Sequence, residues 1–163
     1  MLDWHSATQD HRNDLSLFRC TDPATVSFDE ERGFECHDFP WELRVQDHIN
    51  TELIPPLHAP SFLDLGFDED GLAAVVEMTV SEFDRGCFIH TLAVAHRVSG
   101  RGIAGEAIDR APILLARYDI SRDFIVEGLI DRDNIAAQSA FGRHGFEHSG
   151  YRNGCERWAR LYP

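Results

Sequence analysis

The stretch Arg97-Val98-Ser99-Gly100-Arg101-Gly102-Ile103-Ala104 constrains this chain more than any other, because of what flanks it. Before it, Cys87 to Val94 is apolar, β-prone and of strand length; after it, Ile103 to Tyr118 carries apolar residues at helical spacing. A strand that passes through a short Arg/Gly loop into a helix makes an anion cradle. Glycines let the backbone curl so that N–H groups converge, and the helix N-terminus adds about half a positive charge. Arg97 and Arg101 add full charges that suit phosphate oxygens. The expectation is a diphosphate site on residues 97–104.

Two further blocks follow in order. Thr91-Leu92-Ala93-Val94 ends the strand before the loop, and Asn134-Ile-Ala-Ala-Gln-Ser-Ala-Phe141-Gly-Arg-His-Gly145-Phe146 lies downstream. The pattern Arg97-x-x-Gly100-x-Gly102 resembles the acetyl-CoA pyrophosphate loop of the GNAT superfamily of N-acetyltransferases. The downstream block resembles the family's Asn-x-x-Ala-x-x-Leu-Tyr-x-x-x-Gly-Phe. The resemblance covers residues 70–163 well and the first 70 poorly. It implies an α/β fold, a single mixed, mostly antiparallel seven-stranded sheet flanked by helices, with splayed central strands, as one domain over 1–163.

The resemblance also implies how acetyl-CoA is held. The family's fourth and fifth strands splay beside the loop, and the pantetheine arm enters the gap like an added strand. The backbone of Leu92 and Val94 then makes the contact, with the Val94 N–H polarising the thioester carbonyl, and Val98, Ser99, Ile103 and Ala104 complete the loop with the residues already named. Asn134 matches the position that bonds the pantetheine arm or nearby backbone; it also reads as a plain helix N-cap. Phe141 occupies the place where many members carry a Tyr that protonates the departing thiolate. Phe141 cannot do so; Tyr151 and Ser139 are the substitutes to consider.

Acetyl transfer to an alkylamine also needs a base, since an ammonium with pKa near ~10.4 is almost fully protonated at pH 7. Glu77 sits in the otherwise apolar run Ala73–Val80, where a carboxylate is costly unless it faces a cleft. His90 precedes Val94 by four, which places both on one strand face. Both readings stay open, with Glu127 as a third; equally, His90 can be a satisfied sheet histidine and Glu77 a solvent-facing residue.

Composition narrows the partners. The 15 basic residues are all arginine, against 28 acidic ones. Residues 1–90 hold 19 acidic and 5 basic side chains, and residues 91–163 hold 9 and 10. The near-neutral half meets a polyanionic cofactor, and the acidic half faces a substrate, which points to a small or peptide-borne cationic amine. A net charge of −13 disfavours nucleic acid, including a toxin-like action on aminoacyl-tRNA. A weakly catalytic acyl-CoA-binding module is the remaining alternative. Four scattered cysteines without C-x-x-C fit a reduced, cytoplasmic protein, and no zinc-like ligand spacing appears, so no metal is expected. No 18-residue apolar run or signal peptide is seen, so no membrane is expected; a homodimer stays open.

The remaining elements read as follows. Residues 1–13 are polar and expected to be loose, Leu15–Cys20 alternates like a first strand, and 21–40 reads as a loop with room for a helical turn. Pro40 to about Ile54 reads as a helix. Strands follow at 62–66 and 72–80 across a turn at 68–71, with a turn at 82–86 before the 87–94 strand. The main helix, 103–118, contains Pro112, which should kink or shorten it. Strand 124–130, a helix from Asp133 or Asn134 to Gly145, and a hairpin around Asn153-Gly154 complete the chain.

Overall fold

A computed structural model describes residues 1–31, 33–81, 85–117 and 123–162. In chain order the elements are β1 (Asp3–Ser6), α1 (Arg12–Leu17), β2 (Val26–Asp29), β3 (Phe34–His37), α2 (Pro40–Asp47), β4 (Ser61–Asp68), β5 (Gly71–Ser81), β6 (Gly86–Val94), α3 (Ile103–Ile108), α4 (Arg110–Arg117), β7 (Phe124–Asp131), α5 (Ile135–Arg143), β8 (Glu147–Arg152) and β9 (Cys155–Tyr162). Seven strands form one sheet in the order β1-β4-β5-β6-β7-β9-β8. Every neighbouring pair is antiparallel except β6 and β7, which run parallel. A parallel pair needs a crossover, and α3 and α4 supply it.

Alternation along the strands feeds two cores. On one face Val76, Met78 and Val126 pack with Ile108 and Leu115 of the crossover and Phe141 of α5. On the other, Leu65 and Val75 meet Leu15 of α1 and Ile49, which lies in a π-helical turn, His48–Glu52, that extends α2. The expected helix from Pro40 to about Ile54 is thus present, with Pro40 in its first turn. The hairpin at Asn153-Gly154 forms with both residues at positive φ, 54° and 83°, as a tight two-residue turn requires.

Three expectations are corrected. Leu15–Cys20 is not a strand: Leu15 and Phe18, three residues apart, are buried while Leu17 is exposed, which is a helical face. Asn50 Nδ2 fixes that end by donating to the carbonyls of Leu15 and Phe18 at 2.7 and 3.0 Å. The true first strand is β1, within the residues expected to be loose. Its anchor is Glu106 Oε1, which accepts from Leu2 N at 2.7 Å and Trp4 Nε1 at 2.9 Å. Residues 21–40 are more than a loop, since β2 and β3 pair as a separate hairpin. The interruption expected from Pro112 is present: the main helix is two helices meeting at Asp109. Pro112 has no N–H for the Ile108 carbonyl, so the ladder breaks one turn before it. The expected helix end at Tyr118, and residues 82–84 of the turn before β6, lie outside the described residues.

Candidate active site

The site begins where β6 and β7 separate. Their ladder holds from Gly86–Ile125 to Ile89–Gly128 and goes no further, so among the described residues the facing edges of 90–94 and 129–131 have no partner strand. On its far side β6 stays bonded to β5, and Ala95 N continues that pairing by donating to the Ala73 carbonyl at 2.8 Å. Backbone donors alternate sides along a strand, so the N–H groups of Leu92 and Val94 turn into the gap.

A bulge reorders the side chains just there. Glu77 pairs with Thr91 but Met78 pairs with Ile89, which leaves His90 as the extra residue of β6. Before the bulge, Cys87 and Ile89 face the crossover helices; after it, Leu92 does. The His90 ring lies with Phe88 and within 2.9 Å of Thr79 Oγ1. The expectation that His90 and Val94 share a face therefore fails, because four residues that span a bulge do not keep a period of two.

The gap widens into a cleft of about 600 Å³. At one end it is walled by residues 98–100 and 102–105. In this loop Gly100 and Gly102 have φ of +76° and +81°, and a Cβ on Gly102 would meet no atom within 4 Å. Among the described residues, the N–H groups of Ile103 and Ala104, which open α3, donate to no protein acceptor. At the other end Trp41 and Val45 of α2 close over the cleft, and Arg44 pairs with Asp131 of β7 at 3.2 Å.

Beside this second end lies a hydrogen-bonded chain. Glu77 Oε2 accepts from Thr91 Oγ1 at 2.9 Å and stands 3.0 Å from His48 Nε2, while His48 Nδ1 is 2.9 Å from Glu52 Oε2. Burial pulls the His48 pKa down, but the hydrogen bonds to Glu77 and Glu52 outweigh it and hold the ring above its ordinary value.

No protein-family model matches the sequence, and no curated protein matches it. Solved structures do resemble the fold. Nourseothricin acetyltransferase superposes with a TM-score of 0.66 at 14% identity, over 99% of this chain and 98% of the other. The PaiA N-acetyltransferase of Thermoplasma acidophilum, solved with coenzyme A, gives 0.68 at 12% identity, over 99% of each chain. The spermidine/spermine N-acetyltransferase SpeG of Vibrio cholerae, in mutant forms, gives 0.63 at 16% identity, over 99% of this chain and 95% of the other. The fold is that of the GNAT acetyltransferases.

Within this GNAT fold, ten of the twelve residues expected to hold a cofactor line the cleft: Leu92, Val94, Val98, Ser99, Gly100, Gly102, Ile103, Ala104, Asn134 and Phe141. Asn134 caps α5, its Oδ1 accepting from Ala137 N at 3.0 Å. Phe141 is 5% exposed, packed edge-on against Phe146 at 4.7 Å. Gly128 makes room for it, since a Cβ there would stand 2.9 Å from Phe141 Cε1. Arg97 and Arg101 are not in the lining. Arg97 is bound to Asp68, and Arg101 adds to the positive potential acting on the same carboxylate. The arginine that does line the cleft is Arg143, in the last turn of α5. Its signal in the sequence was a cation two residues from Phe141.

The candidate bases separate. His90 and Thr91 line the cleft, and Glu77 reaches it through Thr91. Glu127 is engaged by Arg157, whose Nε and Nη2 donate to its two carboxylate oxygens. Tyr151 and Ser139 are exposed and outside the lining, so neither stands where a replacement acid would. His48 was missed as a functional residue, although it lies within the helix expected from Pro40 to about Ile54. Its contact with Glu77 shows only when the turn after α2 is placed against β5. Cys87 is buried, and burial pushes its thiol up to about 12. Among the described residues no group of three His, Cys, Asp or Glu is placed to hold a metal, and no helix is long and apolar enough to cross a membrane.

Proposed function

We propose that this protein transfers an acetyl group from acetyl-CoA to a primary amine. The observation that carries the reading is the cleft between β6 and β7. It opens where two parallel strands stop pairing, and unpaired backbone donors line it at the loop and along β6. On this reading the pyrophosphate lies on the 98–104 backbone with Arg143 supplying charge, and the pantetheine arm runs along Leu92 and Val94 toward Phe141. The Val94 N–H donates to the thioester oxygen as negative charge develops there.

The acceptor enters from the α2 side. Glu77, in a chain with Thr91 and His48, is favoured over His90 as the base, because a carboxylate held in that chain has a route for the proton it takes. A thiol such as cysteine's has a pKa of about 8.5, so a thiolate leaves tolerably without a tyrosine at position 141. The acidic balance of residues 1–90 and the Trp41 ring at the mouth suit a cationic amine, as do the names of the spermidine/spermine acetyltransferase neighbours.

Thiol release from acetyl-CoA over a panel of amines, in low and high salt, tests this. A polyamine or basic peptide should be preferred to an acidic peptide. That preference should shrink with salt, as the Debye length falls from about 10 Å at 0.1 M to about 3 Å at 1 M. Binding of acetyl-CoA with no transfer to any amine would leave only an acyl-CoA-binding module. A salt-insensitive preference for acidic acceptors would remove the substrate class.

A further inference from the structure

The chain Glu52–His48–Glu77 runs from solvent to the cleft wall. The Glu52 side chain is 68% exposed, His48 32% and Glu77 15%. Both ring nitrogens of His48 are within hydrogen-bond distance of a carboxylate oxygen. A neutral imidazole donates from only one nitrogen, so the arrangement fits the imidazolium, which donates from both. The charged groups acting on the ring are Glu52, one turn along its own element, and Glu77, on the strand packed beneath it. Thr91 and His48 both occupy Glu77 Oε2, while Oε1 accepts no hydrogen bond among the described residues. Glu77 is thereby held through Oε2.

We infer that His48 is a positioning residue for Glu77 and that, as Glu77 takes the acceptor's proton, His48 releases one to solvent through Glu52. This rests on the acetyl-transfer reading of the cleft. An ammonium N–H bond breaks, its proton goes to Glu77 Oε1, and the electron pair stays on nitrogen for attack on the thioester. His48, then facing a neutral carboxyl, gives its Nδ1 proton to Glu52, and Glu52 gives a proton to water. Glu77 returns to the carboxylate when its Oε1 proton passes to water as product leaves, and His48 regains a proton at Nδ1 from water through Glu52, so over one turnover two protons enter the chain and two leave. Among the described residues His90 has no such route: its ring meets Thr79, which in turn meets Ser61, and no described carboxylate stands in that chain.

Histidine-ring NMR on the full chain tests the linkage directly, with the His48 signals assigned by His48→Gln. In the wild type the His48 ring should stay doubly protonated to a pH above the ordinary histidine range. Glu77→Gln and Glu52→Gln should each move that titration to lower pH. A His48 titration that ignores Glu77→Gln overturns the inference. Kinetics supply the second arm, using acetyl-CoA and the best amine of the panel. His48→Gln, checked for folding by circular dichroism, should lower kcat about tenfold or more near pH 7. The loss should fade as pH approaches the amine's own pKa near ~10.4, with KM for acetyl-CoA unchanged. If the wild type transfers acetyl and the loss is the same at every pH, His48 is only structural and the proton path falls. If the wild type does not bind acetyl-CoA, the acetyl-transfer reading falls first, which thermal shift distinguishes.

Discussion

Arg97 forks onto Asp68. Its two terminal nitrogens each donate to one carboxylate oxygen at 2.7 Å, and Nη2 also reaches the carbonyls of Gly71 and Leu72 at 2.9 and 3.2 Å. The arginine that reads from sequence as a phosphate ligand instead fastens the start of the loop to the β4–β5 turn. A loop so anchored presents residues 98–104 in a fixed shape, which lowers the cost of ordering it around a ligand.

The pair should show in the pH dependence of stability. The hydrogen bonds from Arg97 hold the Asp68 carboxyl below the usual carboxylate range. A carboxyl with a lowered folded pKa contributes stability above its ordinary value, about 3.9, and loses it as pH falls through the folded value. Urea unfolding should therefore find Asp68→Asn less stable than wild type at pH 7, and the gap should close in strong acid. A gap that persists there would mean the carboxylate charge is not what fastens the loop.

Gly102→Val should leave a folded protein that binds acetyl-CoA poorly. The φ of +81° costs a residue with a side chain about 1–2 kcal/mol, and the added carbons fill space that is open in the cleft. Calorimetric titration of acetyl-CoA into this variant and into wild type makes the comparison. Equal affinities would remove the loop from the binding site.

Gly128→Ala should tighten the wall between β7 and α5. The new methyl would press on Phe141 at 2.9 Å from Cε1, an overpacking that costs about 1–3 kcal/mol and drives the ring toward the cleft. Thermal unfolding should show the loss, and the double variant with Phe141→Leu should regain part of it. No recovery in the double variant would place the strain elsewhere.

The Asp64–Arg110 pair should matter more than any surface bridge. Asp64 is 1% exposed, and its Oδ2 accepts from Arg110 Nη2 at 2.7 Å and Nε at 3.2 Å, with Ser6 on its other oxygen. Asp64→Ala strands a buried guanidinium and should cost about 3–5 kcal/mol in denaturant unfolding, whereas replacing both partners by apolar residues should cost less. Equal costs for the single and the double replacement would contradict this account of the pair.

What the sequence shows and hides follows from the range of the interactions. The loop at Gly100–Gly102, the Asn134 cap and the Asn153-Gly154 turn are local, so their chemistry is written in neighbouring residues. The first strand is not. Leu15, Leu17 and Phe18 satisfy both an alternating and a helical pattern, and only packing against Ile49 and Asn50 decides between them. Arg97 finds Asp68 across 29 residues, and His48 finds Glu77 across the same separation. His90 shows the third kind of failure: a bulge, invisible in the residue types, reverses which face a strand position occupies.

Thermal unfolding with and without acetyl-CoA tests the central claim most directly. A ligand at ~100 times its dissociation constant adds about 2.7 kcal/mol, which for a chain of this size raises Tm by about 5–10 °C. The account predicts that rise for wild type, a smaller one with dephospho-CoA if arginine side chains reach the 3′-phosphate, and little or none for Gly102→Val. A Tm that no acyl-CoA moves, at any concentration up to the millimolar range, would contradict the assignment of the β6–β7 cleft.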